Sequence, residues 1–114
     1  MNSVKKIEFI RGKAEKLAGG ADEKILWSLH AMRKLRTENL RKTAVEKSLR
    51  NAVLVEDYQQ HGRPLPDCLV LGFINGDPLH VVAAIDRDFD RIFIVTAYRP
   101  DPKRWEDDWK KRKR

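Results

Sequence analysis

Histidine, tyrosine and arginine residues in this sequence are of the types that could cleave RNA without a metal ion. That reaction needs a base near the 2′-hydroxyl, an acid for the leaving 5′-oxygen, and cations beside the phosphate. His80 is the first candidate, because its imidazole interrupts an otherwise apolar run of predicted strand. His30 is the second, with Arg33 one turn away and Arg36 further along the same predicted helix. We therefore predict catalytic roles for both histidines and RNA contacts for both arginines.

Further candidates lie where the last predicted strand ends and in the C-terminal tail. Tyr98 is the third predicted catalytic residue. Tyr98 and Arg99 could hold a base or a phosphate at the strand end, and Arg112 and Lys113 could contact phosphate from the tail. Each candidate also has a purely structural interpretation. Histidines often bond to main chain or cap a loop, tyrosine packs on edge strands, and basic tails or helix faces are often only solvated. The residue types alone leave both interpretations open.

Other kinds of site find little support. Asp86, Asp88 and Asp90 have the spacing that opens a calcium loop, but Arg91 and Ala97 stand where its glycine and bidentate glutamate belong. The sequence has no Cys-x-x-Cys or His-x-x-x-His pairing for zinc, and no glycine-rich phosphate loop. We therefore expect neither a metal nor another cofactor.

The basic residues are unevenly distributed along the chain. The formal charge is +7, from 24 basic and 17 acidic residues. Residues 1–66 hold 14 Lys and Arg against 8 Asp and Glu, residues 67–109 hold 5 against 9, and residues 110–114 are all basic. Such a surface suits a polyanion such as RNA, and equally an acidic protein. The alternative function is therefore a non-catalytic module that binds nucleic acid or protein through its basic helices and tail.

Composition also bears on the compartment. No apolar stretch approaches the ~20 residues of a membrane span, and the N-terminus shows no signal-peptide pattern. The single cysteine, Cys68, lies in an apolar run, which suits a buried thiol in a reducing compartment. We expect a cytoplasmic protein without membrane contact.

The apolar periodicity predicts an α+β fold, in which two to three N-terminal helices pack on a four-stranded antiparallel meander. Helical spacing covers residues 4–17, ending at Gly19 and Gly20, and then about 22–36. Thr43 and Glu46 form a possible capping box for a third helix that ends near Arg50. A short C-terminal helix would begin at Asp101 and dock its two tryptophans on the body.

The predicted strands cover residues 52–58, 68–74, 79–86 and 92–98. Asn75 and Gly76 are the strongest hairpin signal. With a two-residue turn there and a four-residue turn at 87–90, His80 would lie beside Leu71 and Ala97. Tyr98 would then lie on the opposite face of the sheet from His80.

Several segments together resemble a bacterial family, the domain of unknown function 4258. These segments, in chain order, are Trp27–Ala31, Asp67–Gly72, Pro78–Val82, Thr96–Asp101, Trp105, and Arg112 with Lys113. The resemblance runs from about Trp27 to the end and leaves residues 1–20 outside. The family resembles RelE-, ParE- and MqsR-type toxins in fold, and its members are often encoded beside a zinc-finger antitoxin.

The resemblance implies a RelE-like fold and a metal-independent ribonuclease of the mRNA interferase type, or an inactive relative of one. Its partners would be RNA and a zinc-finger antitoxin protein. On this interpretation residues 1–20 are an N-terminal helical extension, residues 21–109 a single RelE/MqsR-like toxin-type domain, and residues 110–114 a basic tail.

Overall fold

The computed structural model describes residues 1–16, 24–58 and 64–114. Its elements in chain order are α1 (Ser3–Lys16), β1 (Ile25–Trp27), α2 (Leu29–Thr37), α3 (Lys42–Ser48), a 3₁₀ turn (Leu49–Asn51), β2 (Val53–Tyr58), β3 (Asp67–Ile74), β4 (Asp77–Asp86) and β5 (Arg91–Tyr98). The strands form one sheet in the order β1-β5-β4-β3-β2. The α+β class and the antiparallel run from β2 to β5 are confirmed.

The sheet has a fifth strand that the sequence pattern did not predict. Residues 25–27 were expected within the second helix, but they form β1, which pairs in parallel with β5. Ser28 ends this strand and begins α2, because its side chain accepts a hydrogen bond from the Ala31 N–H at 3.0 Å. The prediction of one continuous helix was wrong because Ile25 and Leu26 fit helical and extended spacing equally well. Gly19 and Gly20, the predicted helix stop, lie outside the described residues.

Helix α3 begins without the predicted capping box. Arg41 occupies the N-cap position and provides no side-chain cap. Glu46 is buried, and its carboxylate accepts a hydrogen bond from the indole N–H of Trp27 at 2.9 Å. This carboxylate therefore ties α3 to β1 across the core instead of capping its own helix.

Two irregular positions decide which side chains share a face of the sheet. On β5, Thr96 pairs with Val82 and Ile94 with Ala83, so Val95 is an extra residue on β5. On β2, Leu54 pairs with Val70 and Glu56 with Leu69, so Val55 is likewise extra. An extra residue of this kind reverses the alternation of side chains beyond it.

The extra residue in β5 corrects the predicted register. His80 does pair with Leu71, as expected, but its partner on β5 is Tyr98 and not Ala97. Ala97 faces the helices and is fully buried in the main core. Tyr98 therefore lies on the same face as His80, whereas uninterrupted alternation predicted the opposite face.

Helices cover one face of the sheet and the C-terminal segment covers the other. Helix α1 contributes Ile10 and Ala14, both fully buried, to the main core. The buried Lys6 binds the Asp57 carboxylate and the main-chain oxygen of Asp67, which fixes α1 to the edge of the sheet. In the part of the chain that is described, no helix is both long and apolar enough to cross a membrane.

The predicted C-terminal helix was wrong. Residues 101–114 form turns and a single antiparallel bridge between Trp105 and Arg112, and Trp109 has a positive φ of 61°. The Asp108 carboxylate accepts main-chain N–H bonds from Lys110 and Lys111. Such local bonds favour a turn over a helix. The predicted docking of the tryptophans on the body does occur, since Trp105 is buried and Trp109 packs against the same cluster.

We predict opposite effects for alanine at two glycines. At Gly72, a Cβ would lie 2.8 Å from the main-chain oxygen of Ser48 and 2.9 Å from its side chain. Gly72→Ala should therefore lower the free energy of unfolding by about 1–3 kcal/mol through overpacking. At Gly12, within α1, the added methyl group would meet no described atom from another part of the chain within 4 Å, so Gly12→Ala should stabilise by about 0.5–1 kcal/mol. Urea denaturation would measure both, and equal effects would contradict the packing of α3 on β3.

Candidate active site

The face of the sheet under the C-terminal segment gathers five polar side chains that could act on a phosphodiester. Glu56 and Tyr58 lie on β2, His80 on β4 and Tyr98 on β5, while Arg112 comes from the C-terminal segment. The extra residues in β2 and β5 bring Glu56 and Tyr98 to this face. We call these five residues the polar cluster.

His80 is fully buried and both of its ring nitrogens are engaged. Its Nε2 lies 2.7 Å from the main-chain oxygen of Trp109, and its Nδ1 lies 3.2 Å from the hydroxyl oxygen of Tyr98. Because a carbonyl oxygen only accepts, Nε2 carries the proton and Nδ1 accepts from the Tyr98 hydroxyl. Burial lowers the pKa of His80 below 6.5, so the imidazole is neutral near pH 7. In this arrangement His80 orients Tyr98 and is closed to solvent.

Glu56 and Arg112 form a two-point ion pair at the open side of the cluster. Arg112 donates from Nε to Oε2 of Glu56 at 2.8 Å and from a terminal nitrogen to Oε1 at 3.0 Å. These bonds lower the pKa of Glu56 and raise that of Arg112, so both groups stay charged. The two side chains are 29% and 60% exposed. A ligand in solvent can therefore reach both.

Trp105 connects the ion pair to the buried histidine, and Tyr58 contacts the carboxylate of the pair. Trp105 lies edge-on to the His80 ring, with centroids 4.4 Å apart, and the Arg112 guanidinium lies 4.7 Å from the Trp105 ring centre. The Tyr58 hydroxyl donates to Glu56 at 3.2 Å. Burial raises the pKa of Tyr58 to about 12, and burial also raises the pKa of Tyr98. Both tyrosines therefore keep their protons near pH 7.

The cluster opens onto a depression of about 1070 Å³ between β2 and the C-terminal segment. Its lining residues are Glu56, Glu106, Asp107, Asp108, Lys111, Arg112, Lys113 and Arg114. The four cations are consecutive in the chain and face four carboxylates. The depression therefore offers contacts for a phosphate without being uniformly basic.

The remaining predicted site residues lie elsewhere. His30 is exposed in the first turn of α2, and its Nε2 lies 3.0 Å from the hydroxyl of Thr96 on β5. Thr96 pairs with Val82, so His30 borders the same face of the sheet, but it contacts none of the polar cluster. Arg33 and Arg36 are exposed beside a separate shallow cavity on α2.

The tail and strand-end residues also make contacts outside the cluster. Arg99 donates from its main chain to the Glu38 carboxylate at 3.0 Å and from its guanidinium to main-chain oxygens at the end of α2. Lys113 is exposed, and its main-chain N–H donates to Arg104 at 2.8 Å. The structure thus brings His80, Tyr98 and Arg112 together and leaves the other predicted residues apart.

The sequence analysis missed Glu56 and Tyr58 because regular alternation on β2 would place both side chains on the face that the helices cover. The one available signal was the run Val53-Leu54-Val55, in which three consecutive apolar residues break the period of two.

Within the described residues, no group of three His, Cys, Asp or Glu side chains could hold a metal ion. Cys68 is fully buried, as expected, and burial raises the pKa of its thiol to about 12.

We predict that the buried imidazole makes stability depend on pH. Because the folded pKa of His80 lies below 6.5, the unfolded chain binds a proton at this residue first as the pH falls. The stability that the neutral His80 contributes is therefore present above pH 6.5 and is lost as the pH decreases. Urea denaturation near pH 7 and near pH 5 should show a larger loss of stability for the wild type than for His80→Gln. An equal loss would contradict the burial of a neutral imidazole.

A comparison with models of protein families identifies the family of this chain. The model of a family described as a domain of unknown function (DUF4258) matches residues 27–99. No curated protein and no solved structure matches the chain. The matched range contains β1, α2, α3 and the whole antiparallel run to Tyr98. Since the match covers more than half of the chain, this protein belongs to the DUF4258 family.

Proposed function

We propose that this protein is a metal-independent endoribonuclease that acts at the polar cluster. The observation that supports the proposal best is the position of the Glu56–Arg112 pair, which is linked through Trp105 to His80 and thereby to Tyr98. This set combines a carboxylate base, a guanidinium for the phosphate and a protonated hydroxyl. These are the three groups that cleavage of RNA by its own 2′-hydroxyl requires.

Each group has a defined task in the proposed reaction. The substrate phosphate replaces Glu56 as the partner of Arg112, which frees the carboxylate. Glu56 removes the proton of the 2′-hydroxyl, and the 2′-oxygen attacks phosphorus to form a 2′,3′-cyclic phosphate. The bond between phosphorus and the 5′-oxygen breaks, and Tyr98 gives its hydroxyl proton to that oxygen. His80 positions Tyr98 in this scheme, instead of taking the directly catalytic role that the sequence pattern suggested.

The biological setting that we propose rests on the resemblance of the DUF4258 family to RelE-, ParE- and MqsR-type toxins in fold. In that setting the protein is the cytoplasmic RNA-cleaving component of a toxin–antitoxin pair. A zinc-finger antitoxin protein would hold it inactive. The formal net charge of +7 suits an RNA substrate.

A non-catalytic binding function is the second candidate. Helix α2 favours it, because Leu29 and Met32 are 68% and 44% exposed beside the exposed Arg33 and Arg36. Apolar and cationic groups that share an exposed surface are typical of sites where another macromolecule binds. This candidate predicts binding that does not depend on Glu56.

Cleavage of RNA in the presence of EDTA tests the enzyme proposal. The purified full chain should cut single-stranded RNA and leave 2′,3′-cyclic phosphate ends. Glu56→Gln should lower the rate by about 10²–10⁴-fold, because it removes the base, and Tyr98→Phe should lower it by a comparable factor. Glu8→Gln is the matched control, since it makes the same change at an exposed position of α1.

Two outcomes would overturn the proposal. One is wild-type protein that leaves single-stranded RNA intact, and the other is Glu56→Gln protein that cleaves as fast as the Glu8→Gln control. Equal circular dichroism spectra for the variants and the wild type would show that any loss of rate does not come from unfolding.

A further inference from the structure

The C-terminal segment, residues 101–114, is folded mainly by bonds within itself. In the described part of the chain, each of its main-chain to main-chain hydrogen bonds joins two residues between Asp101 and Lys113. The side chains of Asp101 and Asp108 add bonds to main-chain N–H groups that follow them. Because these bonds do not involve the sheet, the segment can keep its shape when it moves relative to the sheet.

The chain changes from anchored to self-contained at Pro100. Before it, the main-chain N–H of Arg99 donates to the Glu38 carboxylate at 3.0 Å, and the Arg99 guanidinium donates to the main-chain oxygen of Glu38 at 3.3 Å. Pro100 itself is buried. Asp101 is exposed, and its oxygens accept bonds from residues of the C-terminal segment. A rotation between Pro100 and Asp101 would therefore move the segment while the end of β5 stays bonded to the end of α2.

The polar contacts between this segment and the sheet are few in the described residues. The Trp109 carbonyl accepts from Nε2 of His80 at 2.7 Å, and Arg112 donates twice to Glu56. The Glu56–Arg112 pair is partly exposed, and ion pairs exposed to water contribute little stability. When the segment moves away, water can replace each of these partners, so opening leaves no polar group of these contacts unpaired.

The apolar contact is confined to a small cluster. Trp105 is buried with Leu69 and Val82, and this cluster is separate from the main core that the helices cover. Opening therefore exposes Trp105 and the sheet beneath it but leaves the main core packed. Its free-energy cost is smaller than that of unfolding, which is the condition for one segment to open while the rest of a domain stays folded.

In the observed position, the segment engages the groups that the proposed reaction requires. Arg112 bonds to both carboxylate oxygens of Glu56, so the base is already ion-paired. His80 is fully buried, and the Tyr98 hydroxyl donates its hydrogen bond to this ring. A phosphate can reach the ion pair from solvent, but the Tyr98 end of the site is closed.

We propose that the C-terminal segment is a lid over the polar cluster, which opens as one unit about the link between Pro100 and Asp101. A phosphate that binds Arg112 competes with Glu56 and so removes one of the contacts that keep the lid closed. The open lid gives RNA access to Tyr98. Lids over active sites open in microseconds to milliseconds. The inference rests on the proposed function only in that the molecule admitted is RNA.

Fluorine NMR of the full chain labelled with 5-fluorotryptophan tests the proposal. Two of the three tryptophans, Trp105 and Trp109, are in the lid. Relaxation dispersion should show both exchanging with a minor state at one common rate, because the lid moves as one unit. Trp27 is the internal control and should show no such exchange, since its indole N–H is bonded to Glu46 beside the main core.

Three results of this measurement would overturn the proposal. Flat profiles for Trp105 and Trp109 would show that the lid does not open on this timescale. Different rates for the two would show that it does not move as one unit. Exchange of Trp27 at the same rate would show that the whole domain unfolds.

Glu56→Gln adds a second measurement. Loss of the charge from the exposed pair should raise the population of the minor state about 1.5- to 5-fold. Glu8→Gln makes the same change at an exposed position of α1 and should leave that population unchanged. Equal populations in the two variants would overturn the proposal that the ion pair keeps the lid closed.

The lid and the nuclease fail in distinguishable ways. Cleavage of RNA by a protein in which Trp105 and Trp109 show no exchange overturns only the lid. Exchange in the predicted pattern, in a protein that leaves RNA uncut, overturns only the nuclease.

Discussion

A single extra residue in each of two strands is the constraint on which the candidate site depends. Regular alternation on β5 would place Tyr98 among the helices, and regular alternation on β2 would do the same with Glu56. Val95 and Val55 reverse the alternation beyond them, so the polar side chains that follow lie on the other face. Extra residues of this kind are common beside active sites, where they redirect the side chains that follow them and interrupt the strand pairing only locally.

The face that receives these groups is largely apolar, which explains how the C-terminal segment is held. A neutral imidazole can be buried at little cost only when both nitrogens have partners. The carbonyl of Trp109 is one partner of His80, and Trp105 fills the space beside its ring. The same segment then places Arg112 against Glu56, so the contacts that shield His80 also assemble the exposed ion pair.

The sequence allowed the antiparallel run and the hairpin at Asn75 and Gly76 to be predicted, because those two residues readily adopt the positive φ values of the tight turn. It did not reveal β1, since Ile25 and Leu26 suit a helix as well as a strand. The extra residue in β5 was also hidden, because one inserted valine leaves no mark in a strand that is apolar on both faces. On β2 the run Val53-Leu54-Val55 was the one sign of an extra residue, and regular alternation placed Glu56 on the opposite face. The C-terminal helix was predicted from good local signals that the turn-forming bonds of Asp108 outweighed.

The family match ends at Arg99, but the polar cluster does not. Glu56, Tyr58, His80 and Tyr98 lie within the matched range, whereas Trp105 and Arg112 lie beyond it. The titratable side chains and the guanidinium of the polar cluster thus come from two stretches of chain, of which only the first lies in the matched range. A relative with a different C-terminal segment would keep the sheet and its titratable groups but lose the cation. The arrangement of polar groups on this face therefore depends on a segment that lies outside the matched range.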